Sequence, residues 1–154
     1  PRSPRGWPRR PMLFAEPLED RTTPAVLQVN SLLDTVANDG LLTLREAVNA
    51  VNIQATTGLD AGAVAQITGA FGANDTITFP NLAGTIALTG GQLDLLQNVF
   101  IAGNGIDVLT VSGKSGGTAS RVFEVAAGKT VTIAAITLAD GNGSVTASAT
   151  PGTQ

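Results

Sequence analysis

The side chains equipped to do chemistry are few. In the second half of the chain they are four carboxylates, Asp94, Asp107, Glu124 and Asp140, and three cations, Lys114, Arg121 and Lys129. Two carboxylates side by side would serve acid–base chemistry or hold a divalent cation, with Arg121 as a basic partner. The spacing argues against such a site. Apolar pairs in this half recur at about 23 positions, yet 23 on from Asp94 stands Gly117, and 23 on from Asp107 stands Thr130. No carboxylate ladder is expected. Arg121 then reads as a strand-edge charge beside Glu124, where charge blocks mispairing. Histidine and cysteine are absent from all 154 residues, which excludes Ser-His-Asp and Cys-His catalysis, thiolate metal sites and disulfides. Asp34, Asn38 and Asp39 offer oxygen ligands for calcium, but no Glu stands at the twelfth position of an EF-hand loop; turn chemistry accounts for them. The expectation is no catalytic residue, no metal site and no cofactor.

The elements that would position these groups are short. From Thr76 onward, apolar residues come in pairs at i and i+2: Ile77/Phe79, Ile86/Leu88, Leu93/Leu95, Val99/Ile101, Leu109/Val111, Phe123/Val125, Val131/Ile133 and Ile136/Leu138. Alternation of this kind marks strands with one buried face. Turn residues separate them, among them Pro80-Asn81, Gly90-Gly91 and Gly103-Asn104-Gly105. The spacing aligns Ile86/Leu88 with Leu109/Val111 and then Val131/Ile133, and Val99/Ile101 with Phe123/Val125. About three strands per period in the low twenties fits a parallel β-helix of two to three coils, with ladders of Val, Ile and Leu inside. A short β-sandwich is the alternative architecture. Phe100, between Val99 and Ile101, is expected to point outward.

One segment differs. Thr43 and Glu46 in LLTLREAVNAVN (41–52) stand three apart as a capping box, and Leu44, Ala47, Val48 and Val51 form one apolar stripe at i, i+3, i+4 and i+7. Arg45, Asn49 and Asn52 are assigned to the water-facing side. A β-helix exposes apolar interior and unpaired backbone at its first coil, and solenoids need caps there. This helix would supply the cap, with Thr43 and Glu46 fixing its start and Leu44, Ala47, Val48 and Val51 sealing the core. An ordinary surface helix of an α+β domain is the plainer reading. Upstream, VLQVN (26–30) reads as a first strand and Asn38-Asp39-Gly40 as a turn. Residues 55–75 read as a loop with a turn of helix or strand near Val64–Ile67.

The totals agree with a solenoid of small residues. Apolar residues make up 43% and charged residues 14%, well below the usual quarter. Residues 1–21 hold five arginines against three acidic residues, whereas 22–154 hold four basic against nine acidic. With no basic stripe and few aromatics, nucleic acid is not an expected partner. No apolar run approaches the ~18 residues of a membrane helix. The organisation expected is a disordered Pro/Arg-rich tail over 1–24, a cap over 25–75, the first coils over 76–143, and an unstructured end over 144–154 where the chain is truncated.

LLDTVANDGLLTLREAVNAVN resembles the entry segment of bacterial surface proteins with an SLREA motif, here Thr43-Leu44-Arg45-Glu46-Ala47. These are related to polymorphic outer-membrane proteins and other large right-handed β-helix proteins. Leu42 stands where that family usually carries Cys. The stretches DTITFPNLAGTIALTGGQLDLLQNVFIAGNGIDVLTVSG and RVFEVAAGKTVTIAAITLADGN are similar to the family's first coils. FAEPLEDRTTPA (14–25) resembles a short N-terminal export or sorting signal of giant secreted bacterial proteins. The resemblance implies an all-β fold, a right-handed parallel β-helix with one amphipathic capping helix. It implies a non-catalytic, structural or adhesin-like segment, extracellular or at the outer-membrane-associated cell surface. Its partners would be the downstream β-helix coils of the same chain, and extracellular polysaccharide or a host or neighbouring cell surface. A polysaccharide- or protein-binding module is the second reading. The third is a polysaccharide-lyase-like fragment, since such enzymes share the fold with clustered Asp for calcium and Arg or Lys as base.

Overall fold

The computed structural model describes residues 23–115 and 118–143. The expectations for the Pro/Arg-rich tail up to residue 22, and for the unstructured, truncated end from 144, lie outside the described residues. The chain is strand-rich and its strands pair mainly in parallel.

The elements run β1 (Val26–Gln28), α1 (Leu44–Ile53), α2 (Ala61–Val64), β2 (Ile67–Thr68), β3 (Asp75–Thr78), β4 (Gly84–Ala87), β5 (Leu93–Leu95), β6 (Val99–Ala102), β7 (Leu109–Ser112), β8 (Lys114–Ser115), β9 (Thr118–Ala119), β10 (Phe123–Val125), β11 (Val131–Ala134) and β12 (Thr137–Ala139). Three sheets share the longer strands. One has the order β11-β6-β3-β1-β2, the second β10-β5 and the third β12-β7-β4. The hairpin β8–β9 stands apart. From β3 to β7 the chain visits the sheets in strict rotation, and from β10 to β12 it visits them in rotation again.

The register corrects the spacing read from the sequence. Ile77 lies beside Ile101, and Ile101 beside Ile133. Val99/Ile101 therefore continues into Val131/Ile133, not into Phe123/Val125, which pairs with Leu93/Leu95. Ile86 continues into Val111 and then Leu138. The step from Asp75 to Val99 is 24 positions, whereas that from Val99 to Val131 is 32. The longer step contains β8–β9, an insertion that no fixed period accommodates.

Inward residues on these strands make one core. Leu27, Ile77, Ile86, Ile101, Leu109 and Val111 are fully buried, together with the helix residues Leu44, Ala47, Val48 and Val51. Their strand neighbours alternate outward, which is the period-2 pattern of a sheet with one buried face. Phe100 is exposed as expected. At the corner after β6 only glycine fits at 103, because a Cβ there would stand 2.1 Å from the Ala135 carbonyl oxygen. The Asn38–Gly40 turn forms, with Gly40 at φ 78°. The stretch 55–75 contains α2 and β2, and β2 runs antiparallel beside β1.

Candidate functional site

The capping box of α1 forms as its sequence requires. Glu46 N–H donates to Thr43 Oγ1 at 3.2 Å, and Thr43 N–H donates to Glu46 Oε2 at 2.9 Å. Glu46 does more than cap. Its other oxygen accepts from Ala37 N–H at 2.9 Å, and Thr43 Oγ1 donates to the Thr35 carbonyl at 2.8 Å. The box thus ties the helix start to the 35–37 loop. This explains why a glutamate is 2% exposed on a helix face otherwise filled by Leu44, Ala47, Val48, Ala50 and Val51. At the other end Gln54 takes a left-handed backbone, and its side chain donates to the Val51 carbonyl and to Asp75 Oδ2. Asp75, fully buried, also accepts from Ala25 and Gly72 N–H.

Arg45 does not face water. Its side chain is only 16% exposed, and its Nε and Nη2 donate in parallel to the two oxygens of Asp34 at 2.8 and 2.9 Å. The fork geometry of guanidinium and carboxylate makes this among the stronger kinds of ion pair. Asp34, with a side chain 0% exposed, accepts further bonds from Thr89 N–H at 2.6 Å and Gly90 N–H at 2.9 Å. Arg45 Nη2 also donates to the Gly91 carbonyl at 2.7 Å. One buried pair therefore joins three segments: the 31–36 loop, the helix, and the turn between β4 and β5. A helical wheel places Arg45 on the polar side, and the turn at 89–92 happens to cover that side.

Asn52, also assigned to water, is half-buried and acts as a strand mimic. Its side-chain nitrogen donates to the Asp94 carbonyl at 2.7 Å, and its oxygen accepts from Leu96 N–H at 2.9 Å. Donor and acceptor on one amide match the free edge of β5 as a neighbouring strand would. Asn49 is exposed, as expected. Between α1 and β5 runs an open groove of 490 Å³ lined by Arg45, Val48, Asn49, Asn52, Gln92 and Asp94, among others.

The carboxylates also fall differently from their spacing. Asp94 pairs in register with Glu124 on adjacent strands, 30 positions on, so a two-carboxylate ladder exists that a fixed period hides. Gln92 Nε2 donates to both, at 2.8 Å to Asp94 and 2.5 Å to Glu124, and Arg121 Nη1 reaches Glu124 at 2.6 Å. All of this lies in water on the outer face. Among the described residues no group of three or more His, Cys, Asp or Glu is placed to hold a metal ion. Asp107 is exposed, and Asp140 accepts from Ser112 Oγ at 2.8 Å. Asp60 caps α2, and its carboxyl is held below the ordinary value by the N–H of Ala63 first and that of Gly40 second; the first bond closes the cap of α2 and the second fastens the 38–40 turn to it.

No family model, curated protein or solved structure matches the chain. Among the described residues no helix is long and apolar enough to cross a membrane. Asp34, Arg45 and Glu46 fasten the helix to its surroundings, whereas Asp94, Glu124 and Arg121 stand in a solvated outer row.

Proposed function

We propose that residues 25–143 are the cap and first coils of a right-handed parallel β-helix, within a non-catalytic, structural or adhesin-like segment of a secreted or cell-surface bacterial protein. The observation that supports this best is the rotation of parallel strands among three sheets, beginning beside a helix fastened across a strand edge. The helix residues Thr43, Leu44, Glu46, Ala47, Val48 and Val51 form the cap in this reading. Right-handed winding follows the rule for parallel crossovers. The resemblance of Thr43–Ala47 to the SLREA motif supports the surface assignment, and further coils would continue the solenoid after residue 143.

Solenoid stability is a sum over stacked units, so a whole circuit can be added without rebuilding the rest. Val99 to Thr130 is one circuit, since Val131 takes the place beside Val99. A chain carrying a second copy of 99–130 after Thr130 should unfold in one cooperative transition. Its β signal per residue should hold, and its urea m-value should rise with the added buried surface. Loss of cooperative unfolding in the duplicated chain would refute stacked coils.

A polymer-binding module is the second reading, favoured by one register. Thr85, Thr110 and Thr137 stand in a row on the outer face of the third sheet, flanked by Ala87, Ser112 and Ala139. Rows at the ~4.8 Å strand spacing present regular hydroxyls to a repetitive polysaccharide. On a polysaccharide array, wild-type binding that falls at least tenfold in Thr110→Lys supports that module. Absence of binding leaves the structural role.

A further inference from the structure

Asparagine followed by glycine is the dipeptide most prone to lose its side-chain amide, because glycine has no Cβ to hinder the ring that forms. The chain holds it twice, at Asn104-Gly105 and Asn142-Gly143. The two are alike in sequence and differ in what surrounds them. Asn104 stands at the corner after β6, where its side-chain nitrogen donates to the Phe79 carbonyl and, at 2.7 Å, to that of Leu82. Gly105 N–H donates to the Ala135 carbonyl at 2.8 Å. The amide that would leave and the nitrogen that would attack are both engaged. Asn142 follows β12 and is exposed, as is Gly143. Its own N–H donates to the Ser120 carbonyl at 2.9 Å, which anchors the main chain on one side. Beyond that anchor, among the described residues, neither the Asn142 side chain nor Gly143 N–H has a hydrogen-bond partner. The aspartate counterparts are engaged as well. Gly40 N–H, after Asp39, donates to Asp60, and Asp140, before Gly141, accepts from Ser112.

We propose that Asn142-Gly143 is a site of spontaneous deamidation in the folded protein, and that Asn104-Gly105 is protected by its hydrogen bonds. Gly143 N gives its proton to water and attacks Asn142 Cγ. The N–Cγ bond forms, the Cγ–Nδ2 bond breaks, and ammonia leaves with the proton returned to it. The product is a five-membered succinimide. One water then opens the ring. Addition at Cγ gives aspartate with the ordinary main chain, and addition at the main-chain carbonyl gives isoaspartate, with the chain running on through Cγ. The only co-reactant is solvent water. Either product adds one negative charge beside Arg121, which packs against Gly143 and pairs with Glu124. Isoaspartate also lengthens the main chain by one methylene directly after the Ser120 anchor. The chemistry depends on the two environments alone, whatever the role of the chain.

The test is incubation of the folded 154-residue chain in mildly alkaline buffer, followed by peptide mass mapping and assay with an isoaspartyl methyltransferase. Asn142 is the one asparagine of the tryptic peptide 130–154. That peptide should gain the mass of an amide-to-acid exchange and become a methyl acceptor; the mass gain separates it from isomerisation of Asp140. Asn104 should react slower by roughly tenfold or more, since three hydrogen bonds must open first. In concentrated urea the two sites should react at comparable rates, which assigns the difference to the fold. Gly143→Ala should slow the reaction at Asn142 several-fold while the protein stays folded by circular dichroism, because its Cβ meets Arg121 at an ordinary 3.7 Å. Equal rates at the two sites in the folded chain overturn the proposal. So does an Asn142 that stays intact in the folded chain while both sites react in urea.

Discussion

Asp34→Ala should destabilise the protein by about 3–5 kcal/mol, the usual cost of removing one partner from a buried ion pair. The reason is what it leaves behind. Arg45 would keep its charge in a site where its side chain is 16% exposed, and the N–H groups of Thr89 and Gly90 would lose their acceptor. Thr89 and Gly90 are themselves exposed, so water can take up their N–H groups and the stranded charge of Arg45 is the main term. Against a typical total of about 5–15 kcal/mol, one substitution removes a large share. Asp34→Asn should cost nearly as much, because an amide offers one acceptor where the fork, Thr89 and Gly90 use two. The double variant Asp34→Ala/Arg45→Leu should recover part of the loss, since it removes the stranded charge. Urea midpoints of the four proteins test this. A single-variant cost under about 1 kcal/mol would mean that the pair fastens nothing.

How much of this was legible in the residues depends on range. The capping box of Thr43 and Glu46, the stripe of Leu44, Ala47, Val48 and Val51, and the Asn38–Gly40 turn are local patterns, fixed by spacings of three or four residues, and all three form. The inward choice at each short strand is local as well: Ile77, Ile86 and Leu93 alternate with polar or small neighbours and are buried, and Ile101 is buried beside the outward Phe100. Register is not local. Asp94 comes to Glu124 across 30 residues because β8–β9 and its flanking turns lengthen one circuit, and no periodicity survives an insertion. Arg45 and Asn52 were misplaced for a related reason. A helical wheel knows the axis but not the neighbours, and the turn 89–92 and the β5 edge approach from the polar side. Asp34 carried a weak signal that turn chemistry masked. An acid ahead of a helix whose one cation is the arginine of its first turn is a candidate partner for it, although Asp39 is another and nothing in an eleven-residue separation demands that Asp34 be the one.

Val48→Asp should cost about 4 kcal/mol or more, placing it among the exceptional single substitutions. Val48 is 2% exposed and lies where α1 meets β5, in the same core as Leu93 and Ile101. Two losses combine there. Removing the valine forfeits about 1.5–3 kcal/mol of apolar burial, and the carboxylate must either shed its hydration without a cation beside it or take up a proton, and both are costly. Arg45 cannot rescue it without abandoning Asp34. Asn49→Asp adds the same charge one residue on, at an exposed position, and should shift the urea midpoint by less than about 0.5 kcal/mol. The pair of variants separates burial from charge. Amide exchange then distinguishes a cap from a surface helix. If α1 closes the end of a stacked core, the Leu93–Leu95 amides should lose protection together with the helix in Val48→Asp, because the core beneath β5 opens with its cap even though Leu93 N–H is paired to the Val122 carbonyl on the β10 side and not to Asn52. If those amides keep their protection while the helix exchanges freely, the helix decorates the sheets without sealing them. The cap reading would then fall, whereas the strand register would stand.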